Sequence, residues 1–499
     1  MTNGRNGTSP RSRRVVVIGA GPGGLCTGYK LLEAGFHDFV ILDKADGVGG
    51  TWRHNQYPGA ACDVPSLLYS YSFAMKRDWS RPYAEQPEIL EYLESCVERF
   101  GLEPHLRLGT AVRSAHWDDE CTVWRIITGD GEELVADVVV SGMGMFNELN
   151  QPQIPGLDDF PGTLFHSARW RHDHDLTGES VAVIGSAASA VQSVPEIARQ
   201  ARQLHIFQRS PQWVLPKDDT PFTDEELVAF RTDPMAARMR RWEIWRMLEG
   251  FITFSNPEAL AAAEEAGLAN LSVVEDPEVR AKLTPHTPFG CQRPLISNVY
   301  YPTYNLPHVE LVTDAIAEVR GNTIVTVDGR ERTVDTIITA TGFQTTRYLS
   351  AIEVTGRGGQ RIEDAWADGP QAYLGLTTSG FPNLFMLYGP NTNNGSIIFM
   401  LECQVAYIMR QLRRLDDEGL AWIDLRPEVM ERYNAELQGD LDQVGVWQGG
   451  CHGYYRGPTG RIVTQWPHTM FEYRSRTLRP DPEAYEVHRG ATLATNALL

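Results

Sequence analysis

A strand–turn–helix–strand stretch near the start of the chain is the feature that most constrains its fold. Val15–Ile18 is a short β-branched run, and Gly19, Gly21 and Gly24 follow it in G-x-G-x-x-G spacing. Apolar residues at helical spacing come next, and then a second strand that ends in Asp43. Such glycines let the backbone approach a pyrophosphate, the helix N-terminus attracts its charge, and an acid about 20 residues further on binds ribose hydroxyls. The stretch therefore predicts a dinucleotide-binding unit in a parallel α/β sheet.

A second stretch, Val181–Ala190, repeats this order of elements with only one of the three glycines. Gly185 can form the same tight turn, and alanine is tolerated at position 190, where helix and strand pack closely. Ala187 is the true departure, because we expect its methyl group to crowd the pyrophosphate. Since a helix and a further strand follow, the sequence predicts a second dinucleotide site with weakened phosphate binding rather than a relic.

The residues that end the second strand of each unit indicate different nucleotides. Arg209 follows Gly185 by 24 residues, as Asp43 follows Gly19. A carboxylate accepts hydrogen bonds from ribose hydroxyls and repels a 2′-phosphate, whereas a guanidinium binds phosphate, and Ser210 adds a hydroxyl beside it. We therefore expect FAD in the first unit and NADPH in the second, in a flavin-dependent oxidoreductase. Taken by itself, Arg209 could also be an ordinary surface arginine.

The amino-acid composition narrows the classes of protein that remain possible. The 499 residues, of which 42% are apolar, suffice for about two to four domains with large cores. A net charge of −19 argues against nucleic-acid binding, which needs a basic face. No apolar run reaches the ~18 residues of a membrane helix, and the polar residues 1–13 predict a disordered arm without a secretory signal. Seven scattered cysteines without a C-x-x-C pair are typical of free thiols in a cytoplasmic protein and predict no metal site.

Several longer motifs occur in a fixed order along the chain. Phe160–Trp170 reads F-x-G-x-x-x-H-x-x-x-W, with His166 at its centre. The others are the first glycine motif, GGTW with YPG and Asp63 (Gly49–Asp63), GCQRPLISNVYYP (Gly290–Pro302), ITATGF (Ile338–Phe343), GFPNLFMLYGPNT (Gly380–Thr392) and QWPHTMFEYR (Gln465–Arg474). Together they resemble the type I Baeyer–Villiger monooxygenases, a branch of the class B flavoprotein monooxygenases, over nearly all of Val15–Arg476. Within that family the chain is most similar to the hydroxyacetophenone monooxygenase type.

The resemblance implies a reaction that uses FAD, NADPH and dioxygen. A peroxide formed at carbon C4a of the reduced flavin inserts one oxygen atom into a small-molecule ketone and gives an ester or lactone. Arg293 matches the family's active-site arginine, and Asp63 matches the acid that orients it; without the family, both are ordinary loop residues. Two other functions stay open: an oxygenase of amines or sulfides, against which Trp170 and Arg293 count, and an NADPH oxidase or flavin reductase that no longer transfers oxygen.

The resemblance also implies cofactor contacts, with three departures from the family pattern. His166 is expected to tether the linker between the two nucleotide domains. Gln292 stands where many relatives have a lysine for the 2′-phosphate, and Gly453 and Tyr454 replace a serine–tryptophan pair that folds over NADP and substrate. Together with Ala187, these changes weaken the expected preference for NADPH over NADH. The residues expected to bind the cofactors are Gly19, Gly21, Gly24, Asp43, Lys44, Gly50, Thr51, Trp52, Asp63, Tyr69, Val112, Asn391, Gly185, Ser186, Ala187, Ser189, Ala190, Gln192, Arg209, Ser210, Ala340, Thr341 and Tyr454.

The expected fold class is α/β, with two Rossmann-like dinucleotide-binding domains, the second inserted in the first. The FAD domain is expected to be discontinuous, over residues 14–150 and 341–499. The NADP domain is expected over residues 151–222 and 283–340. Between its two parts, residues 223–282 are rich in alanine, glutamate, arginine and methionine at helical spacing, which predicts a helical insertion near the substrate entrance.

Overall fold

The computed structural model describes residues 13–448, 455–457 and 459–489 of the chain. Its helices are α1 (Pro22–Ala34), α2 (Thr51–His54), α3 (Gln86–Phe100), α4 (Ala188–Ala198), α5 (Asp224–Thr232), α6 (Pro234–Glu249), α7 (Pro257–Leu271), α8 (Pro277–Leu283), α9 (Tyr300–Thr303), α10 (Ile362–Ala365), α11 (Ile397–Asp417), α12 (Pro427–Asp442) and α13 (Met470–Leu478). Its strands are β1 (Val15–Ile18), β2 (Phe39–Leu42), β3 (Leu106–Arg107), β4 (Val112–Asp118), β5 (Val123–Thr128), β6 (Glu133–Ala136), β7 (Val138–Ser141), β8 (Thr163–His166), β9 (Ser180–Ile184), β10 (Gln203–Phe207), β11 (Val214–Leu215), β12 (Leu295–Ile296), β13 (Val309–Val312), β14 (Ile316–Arg320), β15 (Thr323–Thr326), β16 (Glu331–Thr333), β17 (Thr336–Thr339), β18 (Glu353–Thr355), β19 (Leu384–Met386), β20 (Trp422–Leu425) and β21 (Tyr485–His488).

The first nucleotide unit lies in a five-stranded parallel sheet with the order β19–β7–β1–β2–β3. All four residues of β1 are buried, as expected of a strand covered on both faces. Val15 pairs with Phe39 of β2 and with Val138 of β7, so β1 lies at the centre of the sheet. The edge strand β19 comes from the last quarter of the chain and pairs with β7. We call this sheet with the segments packed on it the first body, and the sheet of the second nucleotide unit with its own packed segments the second body. One edge of the first body is thus formed by a strand that follows the second body in the sequence.

The second nucleotide unit lies in its own five-stranded parallel sheet, with the order β13–β10–β9–β17–β8. Its central strand β9 is buried throughout, and Val181 pairs with Leu204 of β10 and with Thr336 of β17. Small sheets attach to these two bodies, namely β14–β15–β16, β18–β4–β5–β6, β11–β12 and β20–β21. The predicted fold class, with one Rossmann-like domain inserted in another, is confirmed.

The two chain passages between the sheets run side by side and bond to each other. Asn150 donates from Nδ2 to the Thr341 carbonyl at 3.2 Å, and the Thr341 hydroxyl donates back to the Asn150 carbonyl. The Asn150 amide donates to the Gly342 carbonyl at 2.9 Å, and Leu149 forms a bridge with Phe343. The expected domain limits at 150 and 341 fall within this paired segment, although the limits themselves stay predictions.

The helices of residues 223–283 pack on both bodies. Phe230, Ala237 and Ile244, from α5 and α6, belong to the core of the first body. Leu271 and Leu283, at the ends of α7 and α8, belong to the core of the second. This segment therefore joins the two bodies rather than extending one of them.

A buried arginine fixes α6 to the first body. Nη1 of Arg241 donates to the carbonyl oxygens of Leu67, Leu68 and Ser70 at 2.7, 3.3 and 2.8 Å. Three carbonyl acceptors offset part of the cost of burying the guanidinium, whose pKa burial lowers. Arg241 thus adds polar bonds to the Leu67–Ser70 loop to the apolar packing of Ala237 and Ile244.

Two expectations based on composition need correction. Arg13, the first described residue, donates from Nε to Asp416 at 2.8 Å and from Nη2 to the Leu415 carbonyl, so it does not belong to the expected arm; residues 1–12 lie outside the described part. The prediction of free thiols was wrong for Cys291, which is disulfide-bonded, because scattered spacing does not reveal which cysteines meet in the fold. The free cysteines among the described residues are Cys26, Cys62, Cys96, Cys121 and Cys403.

Within the described ranges, no helix combines the length and apolar character needed to cross a bilayer.

Candidate active site

The first glycine turn has the geometry of a pyrophosphate-binding loop. Gly19 has a φ of 109°, and a Cβ there would lie 2.5 Å from the Gly142 carbonyl oxygen. A Cβ on Gly24 would lie 1.9 Å from the Gly19 oxygen, so α1 packs on the turn more closely than a side chain allows. Gly21 is the N-cap of α1 and makes no side-chain capping bond, and the first turn of α1 has no acidic residue. Its first N–H groups are therefore available to an anion.

The acid expected at the ribose directly follows β2 and is oriented by backbone amides. The two carboxylate oxygens of Asp43 accept hydrogen bonds from the Ala20 amide at 2.7 Å and from the Ala45 amide at 2.8 Å. Each oxygen keeps a further lone pair for a hydroxyl donor. Lys44 is exposed beside it and donates to Asn147 at 2.6 Å.

The second glycine turn repeats the backbone conformation of the first. Gly185 has a φ of 123°, and a Cβ there would lie 2.4 Å from the Ala340 carbonyl oxygen. Gly21 and Ala187 are the N-caps of α1 and α4, with φ/ψ of −77°/−172° and −88°/−162°. Any residue adopts such extended angles, so Ala187 occupies its position without backbone strain. α4 also begins without a side-chain cap or an early acid, which leaves its N-terminus open to an anion.

The residues expected at the 2′-phosphate lie together beyond the end of β10. Arg209 is exposed, and Ser210 is half-buried. The Ser186 hydroxyl donates to the Ser210 carbonyl at 3.2 Å, so the glycine turn and the Arg209 segment are bonded to each other. Ser189 is half-buried and Ala190 fully buried in the first turns of α4.

On the first body, the segment after Gly50 brings two predicted flavin contacts together. The indole Nε1 of Trp52 donates to the Tyr69 hydroxyl at 2.9 Å, and the two rings meet edge to face with centroids 5.6 Å apart. Gly50, with a φ of 56°, is the N-cap of α2, and Thr51 begins that helix with its side chain exposed. The fixed Trp52–Tyr69 pair offers a rigid apolar surface beside the glycine turns.

A buried amide also points to a ligand. Nδ2 of Asn391 donates to the carbonyls of Ile462 and Gln465 at 2.9 and 3.1 Å. Its Oδ1 is buried and finds no hydrogen-bond partner among the described residues. Buried acceptors are almost always paired, so this oxygen is one that a bound cofactor would satisfy. Val112, also predicted at the cofactor, is half-buried at the start of β4.

The predicted catalytic pair is in direct contact across 230 residues of sequence. Nε of Arg293 donates to Oδ2 of Asp63 at 3.0 Å, and Nη2 donates to the same oxygen. The two side chains are 36% and 25% exposed, so a small molecule can reach the pair. The guanidinium keeps its charge at any working pH, and the carboxylate fixes its orientation. The catalytic role of both residues stays a prediction.

Aromatic residues that the sequence did not single out hold the Arg293 loop. The indole Nε1 of Trp447 donates to the Gly290 carbonyl at 3.0 Å, and Trp447 is only 1% exposed. Phe254 lies so close that a Cβ on Gly290 would be 2.4 Å from its ring, and its own φ is 50°. Phe289 adds a third ring, with its centroid 6.5 Å from that of Phe254. In sequence, these aromatics look like ordinary core residues.

The Asp63 segment is also bonded to the second body, through Gln192 of α4. Its Oε1 accepts from the Tyr57 hydroxyl at 2.9 Å, and its Nε2 donates to the Ala61 carbonyl at 3.0 Å. Burial raises the pKa of Tyr57 to about 12, so its hydroxyl stays a donor. The polar atoms of Gln192 are therefore engaged within the protein, and its predicted cofactor contact stays untested.

His166 lies where the two chain passages meet. It is 3% exposed, its Nδ1 accepts from the Ala168 amide at 3.0 Å, and its ring meets the Phe343 ring edge-on at 6.0 Å. Burial lowers the pKa of His166 to about 4, so the imidazole is neutral at physiological pH. His166 thus lies beside the linker between the two bodies. Its Nδ1 is bonded to the adjacent Ala168 amide, not to the Arg293 loop.

The structure groups most of the predicted cofactor residues around two glycine turns. Ala340 and Thr341 lie at the passage between the bodies, and the Ala340 amide donates to the Ile184 carbonyl at 2.8 Å. Gly453 and Tyr454 lie outside the described residues. Two uncapped helix N-termini, an oriented acid on one body, an arginine on the other and an unpaired buried amide oxygen fit FAD on the first body and NADPH on the second.

This arrangement defines a flavin-dependent oxidoreductase that uses NADPH. The sequence profile of the pyridine nucleotide-disulphide oxidoreductase family matches residues 16–222. A Baeyer–Villiger monooxygenase from Streptomyces coelicolor is 43% identical over 491 residues, which covers 97% of this chain and 94% of that protein. The chain therefore belongs to the Baeyer–Villiger monooxygenases.

Solved structures agree with this assignment. An oxidized steroid monooxygenase bound to NADP is 32% identical, covers 96% of this chain and 100% of its own, and has a TM-score of 0.84. A cyclohexanone monooxygenase from Rhodococcus sp. Phi1 bound to NADP⁺ is 32% identical, covers 97% of this chain and 100% of its own, and has a TM-score of 0.85. A structure described as the OTEMO complex with FAD and NADP is 27% identical, covers 96% of this chain and 100% of its own, and has a TM-score of 0.84. The expected family and both expected cofactors, FAD and NADPH, are thereby confirmed.

Proposed function

We propose that this enzyme inserts one oxygen atom of O₂ into a small-molecule ketone and that Arg293 is its catalytic cation. The observation that carries the proposal is the ion pair between Arg293 and Asp63. Asp63 follows a loop of the first body to which Gln192 of the second body is hydrogen-bonded. Arg293 lies between Phe289, in the core of the first body, and Leu295, in the core of the second. A fixed positive charge therefore stands where the two nucleotide bodies meet.

The chemistry of oxygen insertion explains why this charge is needed. When bound, FAD and NADPH supply the reducing equivalents and the site at which dioxygen is activated. An oxygen nucleophile that attacks a carbonyl must stay deprotonated, and the resulting tetrahedral adduct carries an oxyanion. Because a guanidinium does not lose its proton, Arg293 stabilises negative charge at both stages. Asp63 holds Nε and Nη2 of that guanidinium and so sets its direction.

Activated oxygen also has to be kept from water, which would release it as hydrogen peroxide. The aromatic residues Trp447, Phe254 and Phe289 are 1%, 8% and 0% exposed and pack against the loop that carries Arg293. Such a water-excluding wall strengthens the electrostatic effect of the nearby charge. These residues are therefore assigned to shielding and positioning, not to proton transfer.

Replacement of the arginine tests the proposal. We expect Arg293→Ala to keep reduction of the flavin by NADPH but to lose ester formation by about a hundredfold or more, since one electrostatic donor is worth that much. NADPH consumption should then appear as hydrogen peroxide, measured beside ester in the same assay. Arg113→Ala, at an exposed arginine of β4, is the matched control. Ester formation by Arg293→Ala at the rate of the unaltered enzyme would contradict the assigned role.

The substrate class is tested separately. A panel of cyclic, aryl and steroid ketones is incubated with NADPH and O₂, and products are examined by mass spectrometry for the gain of one oxygen. Ester that accounts for nearly all NADPH supports the proposal, whereas oxygenation of sulfides or amines alone would favour heteroatom oxygenation, and peroxide alone an oxidase. The cytoplasm stays the predicted location of the enzyme.

A further inference from the structure

α6 presents large apolar side chains to solvent. Met235, Met239 and Trp242 are 55%, 56% and 55% exposed, and they follow one another at intervals of four and three residues. With Arg246, which lies 4.8 Å over the Trp242 ring, they form one line along the helix, which we call the α6 stripe. The opposite face of α6 carries Ala237, buried in the first body. The stripe is thus a second, outward-facing apolar surface on a helix whose inner face is already covered.

Further exposed apolar side chains lie on α5, α6 and α13. Val228 on α5 and Met247 on α6 are 53% and 57% exposed, and Phe471 at the start of α13 is 62% exposed. The Phe471 amide donates to Glu249, the last residue of α6, at 3.1 Å, so α13 continues the surface at that end. Single exposed apolar residues need no explanation, but the adjacent side chains of Met235, Met239 and Trp242 along one line of α6 mark an interaction surface.

A cationic cavity lies beside the α6 stripe. Arg238, on the flank of the stripe, lines a cavity of about 640 Å³ together with Arg77, Arg99 and Lys76. Lys76 is ion-paired with Asp78, which also lines the cavity. Arg77, Arg99 and Arg238 make no ion pair within the part of the chain that the structure describes. Glu91 also lines the cavity, so four cations and two carboxylates face it, an excess of positive charge on a chain whose net charge is −19.

We propose that the α6 stripe and this cavity bind the surface of a bilayer that contains anionic phospholipid. The exposed methionines and tryptophan of the α6 stripe supply apolar contact, and the neighbouring arginines supply charge, the two attractions by which proteins bind a membrane interface. The cavity supplies guanidinium groups for a headgroup phosphate directly beside it. The acidic remainder of the protein repels such a surface, so charge selects this face for contact. The attachment is peripheral and reversible, and it is independent of the reaction proposed above.

Sedimentation with lipid vesicles tests this proposal on the full-length, FAD-loaded enzyme. We expect it to sediment with vesicles of equimolar phosphatidylcholine and phosphatidylglycerol, to bind vesicles of phosphatidylcholine at least about tenfold more weakly, and to be released by salt. The variant Met239→Gln/Trp242→Gln removes the apolar contact, and Arg99→Gln/Arg238→Gln removes charge. Each should lower the partition coefficient for the anionic vesicles by about tenfold or more.

Matched variants separate this face from general effects of polarity and charge. Leu268→Gln/Val327→Gln alters exposed apolar residues elsewhere, and Arg113→Gln/Arg413→Gln removes two exposed cations elsewhere. Both should bind anionic vesicles like the unaltered enzyme, and thermal unfolding checks that all variants are folded. Equal binding to both kinds of vesicle, or equal loss in the control variants, would overturn the proposal. So would an enzyme that ignores vesicles but forms a dimer, detected by light scattering, that Met239→Gln/Trp242→Gln dissociates; the covering partner would then be a second copy.

Discussion

At the scale of single residues, the two nucleotide sites differ chiefly in the side chain that follows the second strand. Asp43 is held by two backbone amides and faces the first glycine turn, whereas Arg209 is exposed beside the second. Ala187, which we expected to crowd a pyrophosphate, shares the backbone angles of Gly21. The choice of nucleotide therefore rests on charge at one position more than on the glycine pattern.

Arg209 should distinguish NADPH from NADH. Arg209→Ala removes a charged donor to the 2′-phosphate, which NADH lacks, so KM for NADPH should rise about 10- to 100-fold while KM for NADH stays nearly constant. Steady-state kinetics with both coenzymes measures this, and calorimetric titration with NADP⁺ gives the binding change directly. Arg202→Ala, just before the start of β10, is the control. Equal changes in both KM values would refute the 2′-phosphate contact.

At the scale of elements, the Arg293 loop depends on segments that are far apart in sequence. Trp447 donates to Gly290 from near the C-terminal end of α12, and Phe254 packs on the same glycine from the segment between α6 and α7. One indole hydrogen bond and one ring contact thus hold the backbone at Gly290, three residues before Arg293. Movement of this loop would shift the guanidinium relative to Asp63.

Trp447→Phe tests whether this hydrogen bond positions Arg293. The variant keeps the ring but leaves the Gly290 carbonyl without its donor, which costs about 1 to 3 kcal/mol. We expect a larger share of NADPH to end as hydrogen peroxide, with KM for NADPH unchanged. Trp124→Phe is the matched control, because its buried Nε1 also donates to a carbonyl, that of Pro382, at 2.7 Å. If both variants lose the same stability and neither alters the peroxide yield, Trp447 is merely structural.

At the scale of the whole molecule, polar contacts connect the two bodies at several places. Asn150 and Thr341 bond the two passages, Gln192 bonds the second body to the Tyr57–Ala61 loop, and His166 is buried beside the linker. The helices of residues 223–283 add apolar contacts to both cores. Relative movement of the bodies must therefore break or bend these particular connections.

His166 should make the fold sensitive to acid. Its pKa is about 4 in the folded protein and about 6.5 in the unfolded chain, so the unfolded chain binds more protons between these values. Stability present above pH 6.5 is lost as the pH falls toward 4, by about 2 kcal/mol between pH 7.5 and 5. His166→Asn keeps an acceptor for the Ala168 amide but does not titrate. Urea unfolding at both pH values should show the smaller loss for the variant, and an equal loss would exclude His166 as the cause.

The sequence alone determined both nucleotide units and their order, and its ordered motifs indicated the family; Asp63 and Arg293 were picked out only through that family resemblance. It could do so because glycine at Gly19 and Gly185 is demanded by local backbone geometry, and because charge at Asp43 and Arg209 stands at a fixed distance from each turn. Requirements of this kind involve residues close together in the sequence, so a short motif is enough to recognise them.

Tertiary structure alone decided what surrounds the pair. Contacts between residues distant in sequence surround the pair: the hydrogen bond from Trp447 to Gly290, the hydrogen bond from Gln192 to Ala61, and the hydrogen bonds from Arg241 to the Leu67–Ser70 loop. The side chains involved are of types common in any protein core, so the hydrophobic periodicity and the residue spacing of the sequence do not reveal these contacts. These contacts form only when the two sheets and the helices between them pack together. Packing depends on the whole chain, whereas a glycine turn depends on a few consecutive residues.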